Sequence, residues 1–392
     1  MNPRVDDISG SLIREIASKR RETSRDFGLG EPSLAPNAAH LDAAMRYVRE
    51  HGVRYSANAG DARLRASIAA HYRYPDLDRA ENVCVTTGSQ EATFATIKAL
   101  LDPQKDELLV VEPAFPSYAK MAKLEGIAVR TVAMDETEDF AYDADRILQA
   151  VGERTRLVVI CSPCNPTARV MSAESAQTLS RGLLARPGAP VWVLHDEIYR
   201  EQTFAASPAR FAEVYPNTVV TNSLSKSNAL TGLRLGWVIA PERAIEAIVK
   251  VHAWITSCAD TFAQQVALSI FTAPGGLREH AEWYLGRRND VVAALDVTGL
   301  RYIAPEGSFY VCVRLPEGIG SLQAALALAD DYDVIAIPGI AFGESFDNWL
   351  RLSWVTSMES VDEGLARIAR FCEATERRAR PSQARSIPSA RS

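Results

Sequence analysis

The stretch TVVTNSLSKSNALTGLRLGWVIA, residues 218–240, is the most informative part of this sequence. Two apolar runs at its ends, 218–222 and 235–240, are rich in β-branched residues and predict neighbouring strands. Between them, a segment rich in hydroxyl groups carries Lys226 and, eight residues further on, Arg234. The stretch therefore predicts a sheet with a polar, cationic loop at one edge.

This loop is suited to hold an amine beside a phosphate. Ser223, Ser225 and Arg234 can donate hydrogen bonds to a phosphate monoester. Lys226 can form an imine with an aldehyde, and a nearby cation or the loss of water lowers a lysine pKa enough to leave a nucleophilic amine. Taken alone, the same pattern is more often a solvated lysine on a surface loop. Its meaning therefore depends on the rest of the chain.

The alternation of apolar runs and helical patterns extends from about residue 80 to this loop. Such alternation is typical of βαβ units and a largely parallel sheet. Seven strands are predicted: Val83–Thr87, Leu108–Val111, Ala128–Val132, Leu157–Cys161, Val191–His195, Thr218–Asn222 and Leu235–Ala240. The predicted fold class is α/β, with a large domain whose mostly parallel seven-stranded sheet lies between helices.

The pattern changes after Pro241. Long helices are predicted over Arg243–Thr272 and Gly276–Leu295. Beyond them, a smaller α+β domain is predicted from strands Arg301–Ala304, Ser308–Val313, Val334–Pro338 and Trp349–Trp354 and the helix Ser321–Ala329. The N-terminal segment, with a helix over 11–20, is expected to pack on this unit. The predicted domains are 45–290 (large), 1–44 with 291–376 (small), and a disordered basic tail over 377–392.

Composition and charge narrow the class of protein. The 392 residues are 47% hydrophobic and 23% charged, as in ordinary globular proteins. The net charge of −6 argues against a nucleic-acid or anionic-membrane binder and favours a small-molecule partner. No stretch has the apolar length of a membrane span or a signal peptide, so a cytoplasmic protein is expected.

The six cysteines lie mostly in apolar runs, which favours reduced, buried thiols. Cys161 and Cys164 form a C-x-x-C pattern, but flanking prolines replace the helix that a redox pair would open. The histidines show no metal-ligand spacing. A redox or metal function is therefore a minor alternative.

Three other predicted strands end in polar residues that a ligand could use. Gly88-Ser89-Gln90 joins a strand to a helix, and the backbone N–H groups of such a turn bind anions. Asp196 ends an apolar strand and can pair with a ring N–H, while two flanking prolines aim Asn165 at the same edge. Together with Lys226, these groups suit a cofactor that has an aldehyde, a ring nitrogen and a phosphate.

With these residues in place, the sequence resembles a fold-type I pyridoxal-phosphate enzyme of the class I/II aminotransferase family, over roughly Phe27 to Cys372. The landmarks appear in family order: Gly30-Glu31-Pro32, Tyr55 with Gly60 and Leu64-Arg65, Gly88 to Ala92, Pro113 to Tyr118, Asn165-Pro166-Thr167, Asp196 to Tyr199, the segment of Lys226 and Arg234, Gly307 to Tyr310, Pro338-Gly339 with Phe342-Gly343, and Arg351. One departure is Ala168, where the family usually has glycine.

The resemblance implies pyridoxal 5′-phosphate as the cofactor. Lys226 resembles the Schiff-base lysine that also moves the substrate proton. Asp196 resembles the acid that keeps the ring nitrogen protonated, so that the ring can accept electrons. Asn165 and Tyr199 resemble the pair that hydrogen-bonds the phenolic oxygen, and Phe115 the aromatic residue that stacks on the ring. Lys226, Asp196 and Tyr199 are therefore the implied catalytic residues.

The remaining implied contacts are to the phosphate and the substrate. The implied phosphate ligands are the turn of Gly88, Ser89 and Gln90 together with Ser223, Ser225, Arg234 and Tyr55. In the family this tyrosine comes from the neighbouring subunit, which implies a homodimer with shared active sites. Arg351 resembles the arginine that binds the substrate α-carboxylate, assisted by Gly30 and Asn165.

The implied reaction moves an amino group between an L-amino acid and a 2-oxo acid, whose side chains the sequence does not identify. The same scaffold also carries lyases acting by β-elimination, decarboxylases, and cyclising or oxidising amino-acid enzymes, which stay as alternatives. A more distant alternative is a non-catalytic sensor in a transcription regulator. Such regulators carry an N-terminal helix-turn-helix, and about 25 residues before Phe27 are too few for one.

Overall fold

The computed structural model describes residues 2–6 and 8–379. Its helices are α1 (Pro3–Asp6), α2 (Leu12–Ala17), α3 (Ala38–His51), α4 (Ala62–Tyr72), α5 (Gly88–Leu100), α6 (Ser117–Leu124), α7 (Ala144–Ala150), α8 (Ala173–Ala185), α9 (Phe211–Val214), α10 (Leu224–Ser227), α11 (Glu242–Thr256), α12 (Thr261–Thr272), α13 (Ala281–Asp296), α14 (Ser321–Asp331) and α15 (Met358–Ala379). Its strands are β1 (Arg25–Asp26), β2 (Val83–Thr86), β3 (Glu107–Glu112), β4 (Ala128–Ala133), β5 (Thr155–Cys161), β6 (Trp192–Asp196), β7 (Thr218–Ser223), β8 (Gly236–Ile239), β9 (Tyr302–Ile303), β10 (Tyr310–Arg314), β11 (Val334–Ile335), β12 (Ile337–Pro338) and β13 (Trp349–Ser353).

The centre of the chain is a seven-stranded sheet in the order β2-β8-β7-β6-β5-β3-β4. Strand β8 is antiparallel to both of its neighbours, and the other pairs are parallel. Each of the seven strands overlaps one predicted run, which confirms the predicted mostly parallel sheet.

Both faces of this sheet are covered, which explains why its strands are continuously apolar. Val219 packs towards α5 and α11, whereas its neighbour Val220 packs towards α4 and α12. Successive strand residues point to opposite faces, so each strand needs apolar side chains at consecutive positions.

The single long helix predicted over 243–272 is wrong. Helix α11 ends at Thr256, and Ser257 adopts a left-handed conformation with φ of 66°. The carboxylate of Asp260 then accepts a hydrogen bond from the backbone N–H of Ala263 at 2.7 Å and caps α12. The break contains neither glycine nor proline, so the apolar periodicity runs through it without a signal.

The smaller α+β unit is built around an antiparallel sheet in the order β12-β13-β10-β9. The strand predicted over 334–338 is divided: β11 pairs in parallel with β1, while β12 pairs with β13. The N-terminal segment is thereby joined to this unit, and the backbone N–H of Ser353 donates to the carbonyl of Phe27 at 2.9 Å.

The predicted boundaries after residues 44 and 290 each fall inside a helix, α3 and α13 respectively. Helix α15 continues to Ala379, so residues 377–379 are helical and do not begin the predicted disordered tail. The rest of that tail lies outside the described residues. Helices α3, α4, α6 and α15 were not predicted. In the described part of the chain, no helix is both long and apolar enough to cross a membrane.

Candidate active site

A cavity of about 610 Å³ lies at the carboxyl ends of β5, β6 and β7. Most of the predicted site residues line it: Gly30, Ser89, Gln90, Phe115, Asn165, Asp196, Tyr199, Ser225, Lys226, Arg234 and Arg351. The large sheet supplies most of these groups, and β13 of the small unit supplies Arg351. The two units therefore share one site, in the position where open α/β sheets bind ligands.

Lys226 is placed by the single helical turn α10, which directly follows β7. The hydroxyl of Ser223 accepts a hydrogen bond from the backbone N–H of Ser225 at 3.2 Å and so caps this turn. The turn directs the amine of Lys226 across the cavity, where Nζ donates to the carbonyl of Gly30 at 2.5 Å.

The environment of Lys226 favours its neutral amine. Burial lowers the pKa of Lys226 to about 8, and the positive charges of Arg351 and Arg234 act in the same direction, while Glu31 opposes them. Near neutral pH, an amine with this pKa is roughly one-tenth unprotonated, which is several hundred times the neutral fraction of an ordinary lysine. It can therefore attack a carbonyl or accept a proton.

Asp196 lies at the end of β6 and is 6% exposed. Its Oδ2 accepts a hydrogen bond from the hydroxyl of Tyr118 at 2.6 Å, and its Oδ1 accepts one from the backbone N–H of Ile198 at 3.2 Å. Burial raises the pKa of Asp196, while these two donors act in the opposite direction. A cationic partner would stabilise the buried carboxylate further.

The opposite end of the cavity is formed by the turn between β2 and α5. Gly88 has φ of 81°, and a Cβ there would lie 2.7 Å from Nη2 of Arg234. A Cβ on Gly236 would lie 2.5 Å from the backbone nitrogen of Ser89. In the described part of the chain, the side chain of the N-cap residue Thr87 makes no capping hydrogen bond, and Glu91 accepts one from the backbone N–H of Thr87 at 2.5 Å. Glycines thus let Arg234 and the start of α5 approach one another, with free backbone donors facing an anion site.

Arg351 is a buried guanidinium, 2% exposed, and its positive charge is only partly satisfied. Nη1 donates to Oδ1 of Asn165 at 3.2 Å, and Nη2 donates to the carbonyl of Gly28. Nε has no partner among the described residues. The guanidinium lies over the ring of Tyr310, 4.4 Å from its centroid. The guanidinium of Arg351 is therefore held in place and can still bind a carboxylate.

Two tyrosines of the cavity wall contact each other beside Arg351. The hydroxyls of Tyr199 and Tyr310 are 3.0 Å apart. A Cβ on Gly30 would lie 1.9 Å from the hydroxyl of Tyr310, so only glycine fits at that position. The close approach of residue 30 is what allows its carbonyl to reach Lys226.

Three predicted residues do not line the cavity. Gly88 and Ser223 lie behind it, where they shape the anion end and the Lys226 turn. Tyr55 is 88% exposed and lines a separate hollow with Tyr47 and Arg54. A single chain therefore does not bring Tyr55 to the site.

The sequence analysis missed several residues of the site. Tyr118 and Tyr310 belong to the quoted landmarks but were given no role. Arg14 and Ile13 of α2 also line the cavity, although α2 lies far from the other residues in sequence. The three-residue spacing from Phe115 to Tyr118, in a segment that begins a helix, was a usable signal for Tyr118. No local pattern marks Arg14.

Ala168, the departure from the family pattern, has φ of 59°. This left-handed conformation favours glycine and costs an alanine roughly 1–2 kcal/mol. The carbonyl of Ala168 accepts hydrogen bonds from the backbone N–H groups of Glu306 and Gly307, each at 3.1 Å. The turn after Asn165 therefore keeps the shape that glycine would give it.

The C-x-x-C pair has no redox arrangement here. Cys161 and Cys164 are both free and buried. Burial raises the pKa of each thiol, which opposes formation of a reactive thiolate.

We predict that Tyr118→Phe lowers kcat/KM about tenfold and moves the acid limb of its pH profile to higher pH. The Tyr118 hydroxyl favours the ionised form of Asp196, so its removal raises the pKa of this carboxyl further and increases the protonated fraction at low pH. Tyr215→Phe is the matched control, because this buried tyrosine donates to the carbonyl of Val191, away from the cavity. An unshifted acid limb in Tyr118→Phe would contradict the role of this hydrogen bond.

Comparisons with known proteins identify the family of this chain. Residues 26–368 match the family model described as "Aminotransferase class I and II". The chain is 31% identical to an aspartate aminotransferase of Pyrococcus horikoshii, covering 93% of this chain and 95% of that protein. It is 30% identical to a probable N-acetyl-LL-diaminopimelate aminotransferase of Bacillus subtilis, covering 95% of both.

The fold is also similar to solved structures. A Thermus thermophilus aspartate aminotransferase determined with maleate superposes with a TM-score of 0.88 at 29% identity, covering 95% of this chain and 99% of that one. A Thermotoga maritima aspartate aminotransferase gives the same TM-score at 28% identity, covering 95% of this chain and 100% of the other. The chain therefore belongs to the class I and II aminotransferase family and is a transaminase.

Proposed function

We propose that this chain binds pyridoxal 5′-phosphate in the cavity described above and uses it to move an amino group between an L-amino acid and a 2-oxo acid. The observation that carries the proposal is the meeting of three groups in one cavity: the amine of Lys226, the carboxylate of Asp196 and the guanidinium of Arg351. Members of the family use this cofactor, whose aldehyde requires an amine and whose ring nitrogen requires a carboxylate, while the α-carboxylate of an amino acid requires a cation.

The anion end of the cavity fits a phosphate. The uncapped start of α5 offers the backbone N–H groups of Ser89 and Gln90. Ser225 adds a hydroxyl, and Arg234 lies against the same turn, as the 2.7 Å approach to a Cβ on Gly88 indicates. These residues would hold the phosphate through charge-assisted hydrogen bonds.

The other end fits an aldehyde-bearing pyridine. Lys226 would hold the cofactor covalently, because burial lowers the pKa of its amine and so increases the neutral, nucleophilic fraction. Asp196 would pair with the ring nitrogen and keep its proton in place. Phe115 lines the same cavity and would cover one face of the ring. When bound, the cofactor supplies an electron sink that makes the substrate Cα–H bond acidic.

The chain's own residues would then orient the substrate and move its proton. Arg351 would bind the α-carboxylate with the guanidinium positions that its contacts to Gly28 and Asn165 leave free. Fixing that carboxylate fixes the direction of the Cα–H bond. The amine of Lys226, once free, would take the proton from Cα and return it to the acceptor carbon. Tyr199 lines the same cavity and would hydrogen-bond the phenolic oxygen of the cofactor.

A screen of L-amino acids tests this function. Each amino acid is added to the purified protein with pyridoxal phosphate, and pyridoxamine phosphate and the 2-oxo acid are measured. The proposal expects one equivalent of each per site, and reversal when a 2-oxo acid is added. Release of ammonia, release of carbon dioxide or uptake of oxygen, without formation of pyridoxamine phosphate, would instead indicate a lyase, a decarboxylase or an oxidase, respectively.

We further propose a homodimer with shared active sites. An exposed patch carries large apolar side chains: Val53 is 67% exposed, Tyr55 88% and Trp254 93%. Hydrogen bonds join its two segments, from Nδ2 of Asn58 to the carbonyl of Ser257 at 2.7 Å and from the hydroxyl of Thr261 to the carbonyl of Arg54 at 2.6 Å. A contiguous apolar surface of this kind favours burial against a partner.

We predict that Tyr55→Phe raises the dissociation constant for pyridoxal phosphate about 10- to 100-fold, because it removes a donor to the phosphate. Tyr47→Phe, in the same hollow, is the matched control.

Mixing Tyr55→Ala dimers with inactive Lys226→Ala dimers tests whether the sites are shared. If subunits exchange at random, about a quarter of the sites should regain both groups, since one site in each mixed dimer has both. Failure of the mixture to exceed the activity of its parents would contradict sharing.

We also propose a cytoplasmic location. It is supported by the six cysteines, all of which lie in the described residues and are free thiols.

A further inference from the structure

Helix α2 forms part of the wall of the active-site cavity. Ser11, Ile13 and Arg14 line the cavity, and Ile13 is 7% exposed. The side chains of Ile13 and Ile16 pack in a core cluster that also contains residues of β11 and β12. The segment before α2 is held as well, because Nζ of Lys120 donates to the carbonyls of Ser9 and Gly10, each at 2.9 Å. The position of Arg14 is therefore set by the fold.

Six charged side chains line the cavity: Arg14, Glu31, Asp196, Lys226, Arg234 and Arg351. The proposed function assigns the cofactor to Lys226, Asp196 and Arg234, and the substrate α-carboxylate to Arg351. Glu31 accepts a hydrogen bond from the hydroxyl of Thr231 at 2.5 Å. Arg14 is the cation that no part of the common reaction requires.

Arg14 is exposed at the cavity wall. No carboxylate of the described residues lies within the 4.0 Å that defines an ion pair with its guanidinium. Its side chain also makes no hydrogen bond to that part of the chain. Its backbone N–H donates to the hydroxyl of Ser11 at 3.4 Å, and its carbonyl accepts from the backbone N–H of Ser18 at 2.9 Å. Arg351, in contrast, is already held by Asn165 and Gly28.

We propose that Arg14 binds the side-chain anion of the substrate, so that the enzyme prefers amino acids whose side chain ends in a carboxylate or a phosphate. This inference rests on the proposed function and adds its substrate class. A planar guanidinium suits both oxyanions, because two parallel N–H groups match two oxygens. The two arginines would then hold the two ends of one substrate, Arg351 from the small unit and Arg14 from the N-terminal segment.

Arg14→Gln tests the proposal through substrate preference. The kcat/KM of wild-type protein is expected to be higher for L-aspartate, L-glutamate or O-phospho-L-serine than for L-alanine and L-leucine. Arg14→Gln should lower kcat/KM for the preferred anionic substrate about 10- to 100-fold, because a charge-assisted hydrogen bond usually contributes this much. It should change kcat/KM for L-alanine by less than about threefold. The three anionic probes distinguish a carboxylate from a phosphate and a short from a long side chain.

Lys19→Gln is the matched control, since it removes a positive charge from the same segment, where Lys19 lies 3.8 Å from Asp330 and does not line the cavity. It should leave kcat/KM unchanged for both anionic and neutral substrates. Equal losses for anionic and neutral substrates in Arg14→Gln, or a wild-type preference for neutral side chains, would overturn the proposal.

A binding measurement separates this inference from the proposed reaction. Succinate carries two carboxylates and butyrate one, and neither has an amino group to transfer. Calorimetric titration of the protein loaded with pyridoxal phosphate should show about 10- to 100-fold weaker succinate binding in Arg14→Gln, with butyrate binding unchanged. This result would support Arg14 even if no amino acid were transaminated, whereas unchanged succinate binding would overturn it even in an active aminotransferase.

Discussion

Replacing Lys226 with alanine is expected to lower the rate of amino-group transfer by at least about 10⁴-fold. Of the residues that line the cavity in the described part of the chain, Lys226 alone has an amine side chain. Under the proposed function, its loss would remove both the covalent attachment of the cofactor and the base that moves the Cα proton. The measurement is single-turnover formation of pyridoxamine phosphate from a preferred amino acid, after saturation of the variant with cofactor.

A chemical readout accompanies the rate. Borohydride reduction of the loaded wild-type protein should add the mass of the reduced cofactor to the peptide that contains residue 226, and Lys226→Ala should carry no such adduct. Lys250→Ala, which replaces an exposed lysine on α11, controls for reaction at the surface. An unchanged melting temperature would show that the variant is folded. A rate within tenfold of wild type would contradict the assignment.

Asp196→Asn is expected to lower the same rate about 10³-fold, because a neutral amide no longer stabilises a protonated ring nitrogen. The carboxylate is 6% exposed and has no other anion beside it among the cavity residues at that end. Its negative charge is therefore not replaced by a neighbour or by water. Dissociation constants for pyridoxal phosphate, measured with the rates, separate weak binding from slow chemistry.

Asp196→Glu retains the charge and serves as the comparison. It should recover part of the lost rate, since the carboxylate can still reach the ring nitrogen after some displacement. Equal rates for Asp196→Asn and wild type would show that the ring nitrogen does not need this anion. Equal rates for the Asn and Glu variants would show that the geometry of the carboxylate, rather than its charge, limits the reaction.

The site residues that directly follow the ends of strands could be predicted from the sequence. In an open parallel sheet, the residues after each strand meet at one edge, so Asn165, Asp196 and Lys226 could be placed together without knowledge of distant contacts. The seven-stranded sheet was predictable for a related reason, because strands buried on both faces read as continuous apolar runs.

The rest depends on contacts between segments far apart in sequence. Glu197 directly follows β6, is buried, and accepts hydrogen bonds from Tyr74 at 2.5 Å and Arg200 at 2.7 Å. Burial alone would raise the pKa of Glu197, but Arg200 and His195 lower it to about 2. Neither Tyr74 nor α2 lies near the sheet edge in sequence, so no local pattern could assign them to it.

The segment that reaches Lys226 and Arg351 has a consequence for the order of events during synthesis. The carbonyl of Gly30 is 196 positions from Lys226, and that of Gly28 is 323 positions from Arg351. A growing chain that has already released all seven strands of the large sheet still lacks β13 and its arginine. Since domains fold largely as the chain emerges, the ribosome completes most of the scaffold before a substrate can be held. A nascent chain can therefore complete its large sheet early and gain Arg351 only late in translation.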